Sequence, residues 1–288
     1  MKKAIVTITI GEKYEFLFKT YCKKNWEKYS QKFNYDLIVI NHSLDITKRA
    51  KERSPAWQKL LILSQEWSKN YDQIVWIDSD VIINYEIAKD IASLVEKENF
   101  GAVDAYSIPS KETYRVFLQR QYKNWKRKGI DYIENLKAEE FYQKRGIYPA
   151  KSINSVVQTG VFVSSPKDHR EIFEHIYYSY EDLSKKASWS YEMPAMSYEL
   201  LKSNIVQWIP NEFNYVVLDI ISAFYPFIFF QGNTSIRKKI INKLFHKIGL
   251  DMNIKLLTPT QVNCLSQIYS NGYFIHFAGC QDWIREIM

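Results

Sequence analysis

Residues 73–83 read QIVWIDSDVII, and this stretch decides which fold the chain is expected to adopt. The apolar run before Asp78 predicts a buried strand, and a second apolar run begins directly after Asp80. Two carboxylates at the mouth of a buried strand are costly unless a partner neutralises them. Alternate side chains of an extended segment point the same way, so we expect Asp78 and Asp80 to converge on one cation, with Ser79 turned away.

The ligand type indicates which cation would bind there. Oxygen ligands with open coordination positions suit Mg²⁺ or Mn²⁺, and these metals commonly hold a diphosphate. The alternative is a strand end whose aspartates are solvated at a turn, which is the commoner outcome for an isolated Asp-x-Asp. The apolar runs on both sides of this motif favour the metal site.

The composition indicates a globular protein with a basic surface. The 288 residues are 46% hydrophobic and 25% charged, which is ordinary for a folded domain. A formal net charge of +7 favours anionic partners such as nucleotide diphosphates or anionic lipid, whereas no motif supports nucleic acid. The 21 Tyr, 16 Phe and 8 Trp also suit surfaces that stack on sugars or lie at a membrane interface.

The cysteines and the start of the chain bear on the compartment. Cys22, Cys264 and Cys280 are odd in number and widely spaced, which argues against a disulfide framework and favours a reducing compartment. The first residues lack a long apolar region and a cleavage site, so we interpret them as a first strand rather than a signal peptide. No run reaches the roughly 18–20 apolar residues of a membrane span.

Strand and helix patterns alternate along most of the chain, which predicts an α/β layered sheet. Besides the strands within residues 73–83, buried strands are expected at residues 4–10, 36–40, 100–106, 155–165 and 273–280. Helices are expected at residues 14–33, 55–71, 86–98, 166–185 and 190–202. The pattern loosens at residues 110–150, which we interpret as a helical insertion in two pieces over one face of the sheet.

Two further positions carry weak signals for a phosphate site. Gly11 ends the first strand, where nucleotides often sit in α/β sheets, although one glycine is not a phosphate loop. Ser54 and Pro55 predict a helix start, and Lys59 follows near that N-terminus, where the helix dipole disfavours a cation. Lys59 is therefore a candidate to face a phosphate, with a plain surface lysine as the commoner alternative.

Three more residues are candidates with open alternatives. Gly160 lies inside a predicted strand and marks a close backbone approach or a bulge. Glu192 precedes a helix and is equally compatible with a first-turn carboxylate and with a group facing an acceptor hydroxyl. His276 lies in an apolar strand, where a core residue is the commoner outcome, so its value depends on whether it meets Asp78 and Asp80.

Residues 236–250, IRKKIINKLFHKIGL, form a basic amphipathic pattern that follows an aromatic run at residues 223–230. Such a pattern is typical of a helix that lies on an anionic membrane. The alternative is a helix that faces the core and has a solvated basic face. The adjoining aromatic run favours the membrane, so we expect a cytoplasmic protein that is peripheral on the inner face of the membrane.

Five motifs follow one another in a recognisable order: the first strand ending in Gly11, then SPAWQKL, WIDSD, QTGVF and IHFAGC. Together they resemble the nucleotide-sugar glycosyltransferases of the GT-A fold, in particular the galactomannan galactosyltransferase and xyloglucan xylosyltransferase group, with glycogenin-like enzymes more distant. The resemblance spans most of the chain. It implies an α/β fold with a Rossmann-like mixed central sheet flanked by helices, a helical insertion and a basic amphipathic C-terminal segment.

The resemblance also implies roles for individual residues. Asp78 and Asp80 match an Asp-x-Asp that binds a divalent metal, usually Mn²⁺, together with the ribose and diphosphate of the donor. His276 matches a histidine that completes the metal shell. Lys59 matches a lysine that faces the donor, and Glu192 lies where the family has an acidic residue beside the reacting sugar.

A second group of matches concerns the donor sugar and the leaving group. Gln158, Thr159 and Gly160 match an Asn/Thr-Gly turn beside the donor sugar, so the resemblance implies that Gln158 is catalytic and that Gly160 binds the donor. Gly279 belongs to the IHFAGC motif and is expected at the donor as well. Gln281 departs from the family, because a lysine there steadies the leaving diphosphate. Either Lys59, Arg285 or a basic loop residue substitutes for it, or donor binding differs.

We expect residues 1–288 to form one glycosyltransferase domain. Its predicted parts are a nucleotide-sugar half at 1–106, an acceptor half at 107–222, a membrane-facing segment at 223–250 and a return strand with the metal histidine at 251–288. The resemblance implies a hexosyl- or pentosyltransferase that retains configuration. It would use Mn²⁺ or Mg²⁺, a UDP- rather than a GDP-sugar, and a glycan or lipid-linked glycan acceptor in surface polysaccharide synthesis.

Two rival classes are weighed against this interpretation. A nucleotidyltransferase would need a Gly- and Arg-rich phosphate loop after the first strand, whereas TITIGEKYE has one Gly and no Arg. A non-catalytic module on a degenerate GT-A fold would bind sugar or membrane through its aromatics and basic helix. The presence of Asp78, Asp80 and His276 counts against that module.

Overall fold

A computed structural model describes residues 1–108, 110–111, 114–127, 137–182, 191–229 and 257–288. Its nine strands are β1 Lys3–Ile8, β2 Tyr35–Ile40, β3 Gln73–Ile77, β4 Val81–Ile83, β5 Phe100–Asp104, β6 Val157–Ser164, β7 Val206–Trp208, β8 Tyr215–Val216 and β9 Phe274–His276. Six of them form the central sheet in the order β2-β1-β3-β6-β5-β7. Only β6 runs antiparallel to its neighbours within this sheet.

A second, three-stranded sheet has the order β4-β9-β8. Strand β4 follows the Asp78–Asp80 segment directly and pairs antiparallel with β9, so that Val81 lies opposite His276. Strand β8 pairs parallel with β9 on its other side. This small sheet therefore places β9, near the end of the chain, beside residues 73–83.

Helices cover both faces of the central sheet. The α-helices are α1 Glu12–Leu17, α2 Lys23–Phe33, α3 Lys48–Glu52, α4 Tyr114–Arg127, α5 Ala138–Gln143, α6 Pro166–Ser179, α7 Met193–Lys202, α8 Val217–Phe224 and α9 Pro259–Asn271. A π-helical stretch, Phe18–Cys22, joins α1 to α2, and 3₁₀ helices occupy Pro55–Ser64 and Glu66–Asn70. The predicted mixed α/β sheet flanked by helices is confirmed, and α4 and α5 are the two helical pieces expected in the insertion.

The two faces of β1 and β3 pack against different cores. Ile5 and Val75 belong to one cluster, which includes Trp26 of α2 and the C-terminal strands. Val6 and Trp76 belong to the other cluster, which includes the 3₁₀ helix Pro55–Ser64 and helices α6 and α7. Because both faces are covered, these strands are continuous apolar runs rather than alternating ones.

Residues 86–98 do not form the helix that their sequence predicts, since only Ala92–Leu94 is helical, as one 3₁₀ turn. Side chains of α2 and β2 take the backbone groups that a helix would need. The Tyr29 hydroxyl accepts from the Ile91 N–H and donates to the Lys89 carbonyl, and the Tyr35 hydroxyl accepts from the Ala92 N–H. These long-range bonds satisfy the backbone without a helix.

Two further expectations concern the regularity of strand β6 and the membrane-facing segment. Strand β6 continues through Gln158–Gly160, but its register with β5 shifts between the pairs Ala102–Phe162 and Asp104–Val157, so the irregularity expected around Gly160 is present. The amphipathic pattern at residues 236–250 lies outside the described residues. Within the described ranges, no helix is long and apolar enough to cross a bilayer.

Candidate metal and donor site

The site lies at the carboxyl ends of β1 and β3, which are parallel neighbours in the central sheet. Asp78 follows β3 directly, and its N–H donates to the carbonyl of Gly160 on β6 at 2.8 Å. The Asp78–Asp80 segment is a turn, in which the Val81 N–H approaches the Asp78 carbonyl at 3.2 Å. The expectation of an extended segment is therefore wrong, because a turn between β3 and β4 is what brings the two carboxylates together.

Asp78, Asp80 and His276 form one cluster, with one ligand atom from each within 4.8 Å of the others. His276 Nε2 lies 3.2 Å from Asp80 Oδ1 and 3.9 Å from Asp78 Oδ2. Asp80 and His276 are buried, whereas Asp78 is partly exposed. His276 thus meets both aspartates, which is the condition that the sequence set for treating it as a ligand.

Asn214 fixes the orientation of the His276 ring. The amide Oδ1 of Asn214 lies 2.8 Å from Nδ1, so a proton on Nδ1 makes this hydrogen bond and leaves Nε2 facing the carboxylates. Asn214 is fully buried at the end of the 3₁₀ helix Asn211–Asn214, just before β8. Sequence reasoning missed this residue, and its local sequence carries no signal for it.

The electrostatics of the cluster favour ionised groups. Burial by itself would lower the pKa of His276, but the neighbouring Asp80 carboxylate raises that pKa above the ordinary value. Burial would likewise raise the pKa of Asp80, yet His276 holds that pKa below the usual range. Without a metal, the pair is stabilised as an ion pair, and a divalent cation would take the place of the proton on Nε2.

Gly160 has no Cβ, and the His276 ring occupies the space that a Cβ would fill. A Cβ built on Gly160 would lie 2.4 Å from His276 Cε1 and 3.3 Å from Asp78 Oδ2. The close backbone approach expected from a glycine within a strand is therefore present. The two carboxylates and the oriented imidazole, with no side chain between them, fit a divalent cation such as Mn²⁺.

Lys59 links Asp78 to Glu192 on the other side of the cluster. Its Nζ lies 3.1 Å from Asp78 Oδ1 and 2.9 Å from Glu192 Oε1, and it donates to the Thr159 carbonyl. Burial opposes the charge on Lys59, but the two carboxylates raise its pKa above the ordinary value. Lys59 is only 3% exposed, so the surface-lysine alternative is wrong, whereas Glu192 is 2% exposed and is the N-cap residue of α7, which keeps the helix-start alternative open.

Two neighbours complete this buried network. The indole Nε1 of Trp76 donates to Asp78 Oδ1 at 2.7 Å, on the oxygen that Lys59 also contacts. The Thr159 hydroxyl donates to Glu192 Oε1 at 2.9 Å. Each acceptor oxygen therefore has two donors, which fixes both carboxylates in place.

Four sequence-predicted candidates remain, namely Gln158, Gln281, Gly11 and Gly279. Gln158 is half-buried in β6, two residues before Gly160 and next to Thr159, whose hydroxyl contacts Glu192. Gln281 Nε2 donates to Asp80 Oδ2 at 2.9 Å. Gly11 and Gly279 are exposed and adopt left-handed φ angles of 98° and 74°, which make the turns after β1 and β9.

Comparison with known proteins places this fold. No family model matches the chain, and no curated protein matches it. The solved structure of WbbM, a bifunctional glycosyltransferase, is similar over 99% of this chain and 49% of that chain, with a TM-score of 0.50 and 14% identity. The fold is that of GT-A-like glycosyltransferases.

Two further glycosyltransferase structures are similar over nearly their whole length. One is involved in glycosylation of the major capsid of PBCV-1, with a TM-score of 0.49, 13% identity and 99% coverage of both chains. The other is the galactosyltransferase LgtC, with a TM-score of 0.47, 14% identity and coverage of 99% and 94%. At such identities the likeness concerns the fold alone, and the galactomannan and xyloglucan group stays a prediction.

Proposed function

We propose that the chain is a metal-dependent glycosyltransferase. It moves a hexosyl or pentosyl group from a nucleoside-diphosphate donor, a UDP- rather than a GDP-sugar, to a hydroxyl of a glycan or lipid-linked glycan. The observation that carries the proposal is the cluster of Asp78, Asp80 and His276, joined through Asp78 to the buried pair of Lys59 and Glu192. The GT-A-like fold supports it, and surface polysaccharide synthesis is the process that we assign to it.

Each residue of the cluster has a defined task in this proposal. Asp78, Asp80 and His276 would hold the cation, Mn²⁺ or Mg²⁺. When bound, the cation supplies neutralisation of the charge that develops on the leaving diphosphate. Lys59 holds Asp78 and Glu192 in place, because its Nζ contacts a carboxylate oxygen of each.

Glu192 and Gln158 are proposed to face the reacting sugar. The contacts of Glu192 with Lys59 and Thr159 both fall on Oε1, so we assign Oε2 to the substrate. A carboxylate there stabilises the positive charge of an oxocarbenium-like sugar. Gln158 would hydrogen-bond the sugar from β6. Attack by the acceptor hydroxyl on the same face as the leaving group would then retain configuration.

A membrane-facing surface is part of the same proposal. Phe224 ends α8 and is 56% exposed, and Phe227 lies in the 3₁₀ helix Pro226–Phe229 and is 42% exposed; both precede the basic segment 236–250 in the sequence. Exposed aromatics beside basic residues suit an anionic membrane surface. Sedimentation with anionic liposomes should fall when the charges on Lys238, Lys239 and Lys243 are removed. Unchanged sedimentation would contradict peripheral attachment.

Donor binding tests the proposal as a whole. A panel of nucleotide sugars is screened by thermal shift with and without Mn²⁺, because a ligand that binds the native state raises the melting temperature. We expect a Mn²⁺-dependent shift with one donor that is lost in Asp80→Ala. A donor-binding shift that Asp80→Ala preserves would instead favour the alternative, a non-catalytic sugar- or membrane-binding module.

A further inference from the structure

Asp80 divides its two oxygens between different partners. Oδ1 lies 3.2 Å from His276 Nε2, on the side of the metal cluster, whereas Oδ2 accepts the hydrogen bond from Gln281 Nε2 at 2.9 Å. Because a carboxylate only accepts, the Gln281 amide must present its NH₂ group here. One oxygen is thus held by a neutral donor, and the other stays with the cluster.

The backbone around Gln281 aims its side chain at Asp80. The Phe277 N–H donates to the Asp80 carbonyl at 3.0 Å, and the Cys280 N–H donates to the Phe277 carbonyl at 2.9 Å. Gly279 makes this turn with a φ of 74°, a conformation that residues with a Cβ rarely adopt. Gln281 then begins the 3₁₀ helix Gln281–Glu286, which the buried Ile284 anchors in the core.

His276 has a matching support from Asn214. The other two residues of the cluster are therefore each hydrogen-bonded to a carboxamide. Asp80 is bonded to Gln281, and His276 is bonded to Asn214. A carboxamide orients its partner without adding charge. The negative charge of the aspartates consequently remains available to a cation.

We propose that Gln281 is a positioning residue for Asp80, whose neutral side chain sets the affinity of the metal site. The inference rests on the proposed function, because it needs a cation at Asp78, Asp80 and His276. It also predicts an outcome that runs against the resemblance. A lysine at position 281 would place its own charge on Asp80 and compete with the metal, so it would weaken the site rather than restore it.

Mn²⁺ affinity measured by electron paramagnetic resonance of the free ion tests this role without any activity assay. Gln281→Met keeps the side-chain length but removes the donor, and we expect its Mn²⁺ dissociation constant to rise about tenfold. Gln281→Lys should raise the constant further. The metal-free melting temperature of both variants should stay within a few degrees of the wild type, since the hydrogen bond is partly exposed.

A matched control adds the same charge elsewhere. Gln267 is exposed on α9, so Gln267→Lys should leave Mn²⁺ affinity unchanged. Wild-type affinity in Gln281→Lys or Gln281→Met would overturn the proposal, as would a fall in affinity that only follows a loss of metal-free stability. A different result would show that Asp78, Asp80 and His276 do not form a metal site at all. In that case the wild type would bind Mn²⁺ no better than Asp80→Ala.

Discussion

Among the histidines in the described part of the chain, two are buried, and their surroundings shift their pKa values in opposite directions. His169 in α6 is 1% exposed and His276 in β9 is 5% exposed. Both nitrogens of His169 meet the backbone, since Nδ1 accepts from the Ser165 N–H at 3.0 Å and Nε2 lies 3.2 Å from the Glu98 carbonyl. Its ring packs edge-on against Phe100, and burial lowers its pKa.

His276 has one nitrogen on an amide and the other among carboxylates. The charge of Asp80 raises the pKa of His276 against the effect of burial. Burial therefore does not distinguish a packed histidine from a candidate ligand. What distinguishes them is whether the second nitrogen meets a neutral carbonyl or a cluster of negative charge.

The largest expected effect comes from Lys59, whose charge is shared by the cluster residue Asp78 and by Glu192. Lys59→Met leaves Asp78 and Glu192 without their shared cation, and breaking a buried ion pair from one side costs about 3–5 kcal/mol. Urea unfolding of the metal-free protein measures this loss. Adding Glu192→Gln to the variant should recover part of it, because one of the two uncompensated charges is removed.

Lys69→Met is the matched control, since Lys69 pairs with Glu66 at the surface and is 54% exposed there. Exposed pairs of this kind contribute about 0.2–1 kcal/mol. If Lys59→Met cost no more than this control, the buried network would not be the electrostatic centre described above.

Gly160→Ala is expected to have the next largest effect. Its Cβ would lie 2.4 Å from His276 Cε1, so the ring must leave its place beside Asp80. We expect overpacking to cost about 1–3 kcal/mol and Mn²⁺ affinity to fall about tenfold or more. Calorimetric Mn²⁺ titration and urea unfolding measure the two effects separately.

Gly101→Ala supplies a comparison with the same steric problem in a different place. A Cβ on Gly101 of β5 would lie 2.3 Å from the Val95 Cγ2, with no metal candidate in that contact. This variant should lose stability while keeping Mn²⁺ affinity. Equal loss of affinity in both variants would mean that general overpacking, rather than displacement of His276, disturbs the site.

The sequence predicts the sheet well because the buried strands are continuous apolar runs. Strands β1, β3 and β6 lie within or close to the predicted ranges, since a strand covered on both faces needs no alternation to be recognised. Asp78 and Asp80 are also predictable from a short stretch of sequence. Its candidate ligands are two residues apart, so their proximity follows from the sequence alone.

Long-range contacts account for most of what the sequence does not predict. Asn214 approaches His276 from 62 residues away, and Lys59 contacts Glu192 from the other half of the chain. Residues 86–98 have a helical pattern, but hydroxyls of Tyr29 and Tyr35 take their backbone N–H groups. Such partners depend on the assembled fold, so no local pattern reveals them.

The smallest expected effect is a pH dependence of opposite sign for the two histidines in metal-free protein. Because the pKa of His169 is lowered on folding, its contribution is present above about pH 6.5 and is lost as the pH falls through its folded pKa. Because the pKa of His276 is raised, its contribution is complete below about pH 6.5 and is lost as the pH rises through its folded pKa.

Urea unfolding in the presence of a chelator, on both sides of about pH 6.5, separates these contributions. His169→Leu should remove the acid-side loss and His276→Leu the alkaline-side loss, each on the order of 1 kcal/mol per unit of pKa shift. If both variants altered the same side of the profile, the carboxylates would not be setting the charge of His276. Opposite signs would mean that the cluster holds His276 protonated until a cation replaces that proton, which links metal binding to proton release.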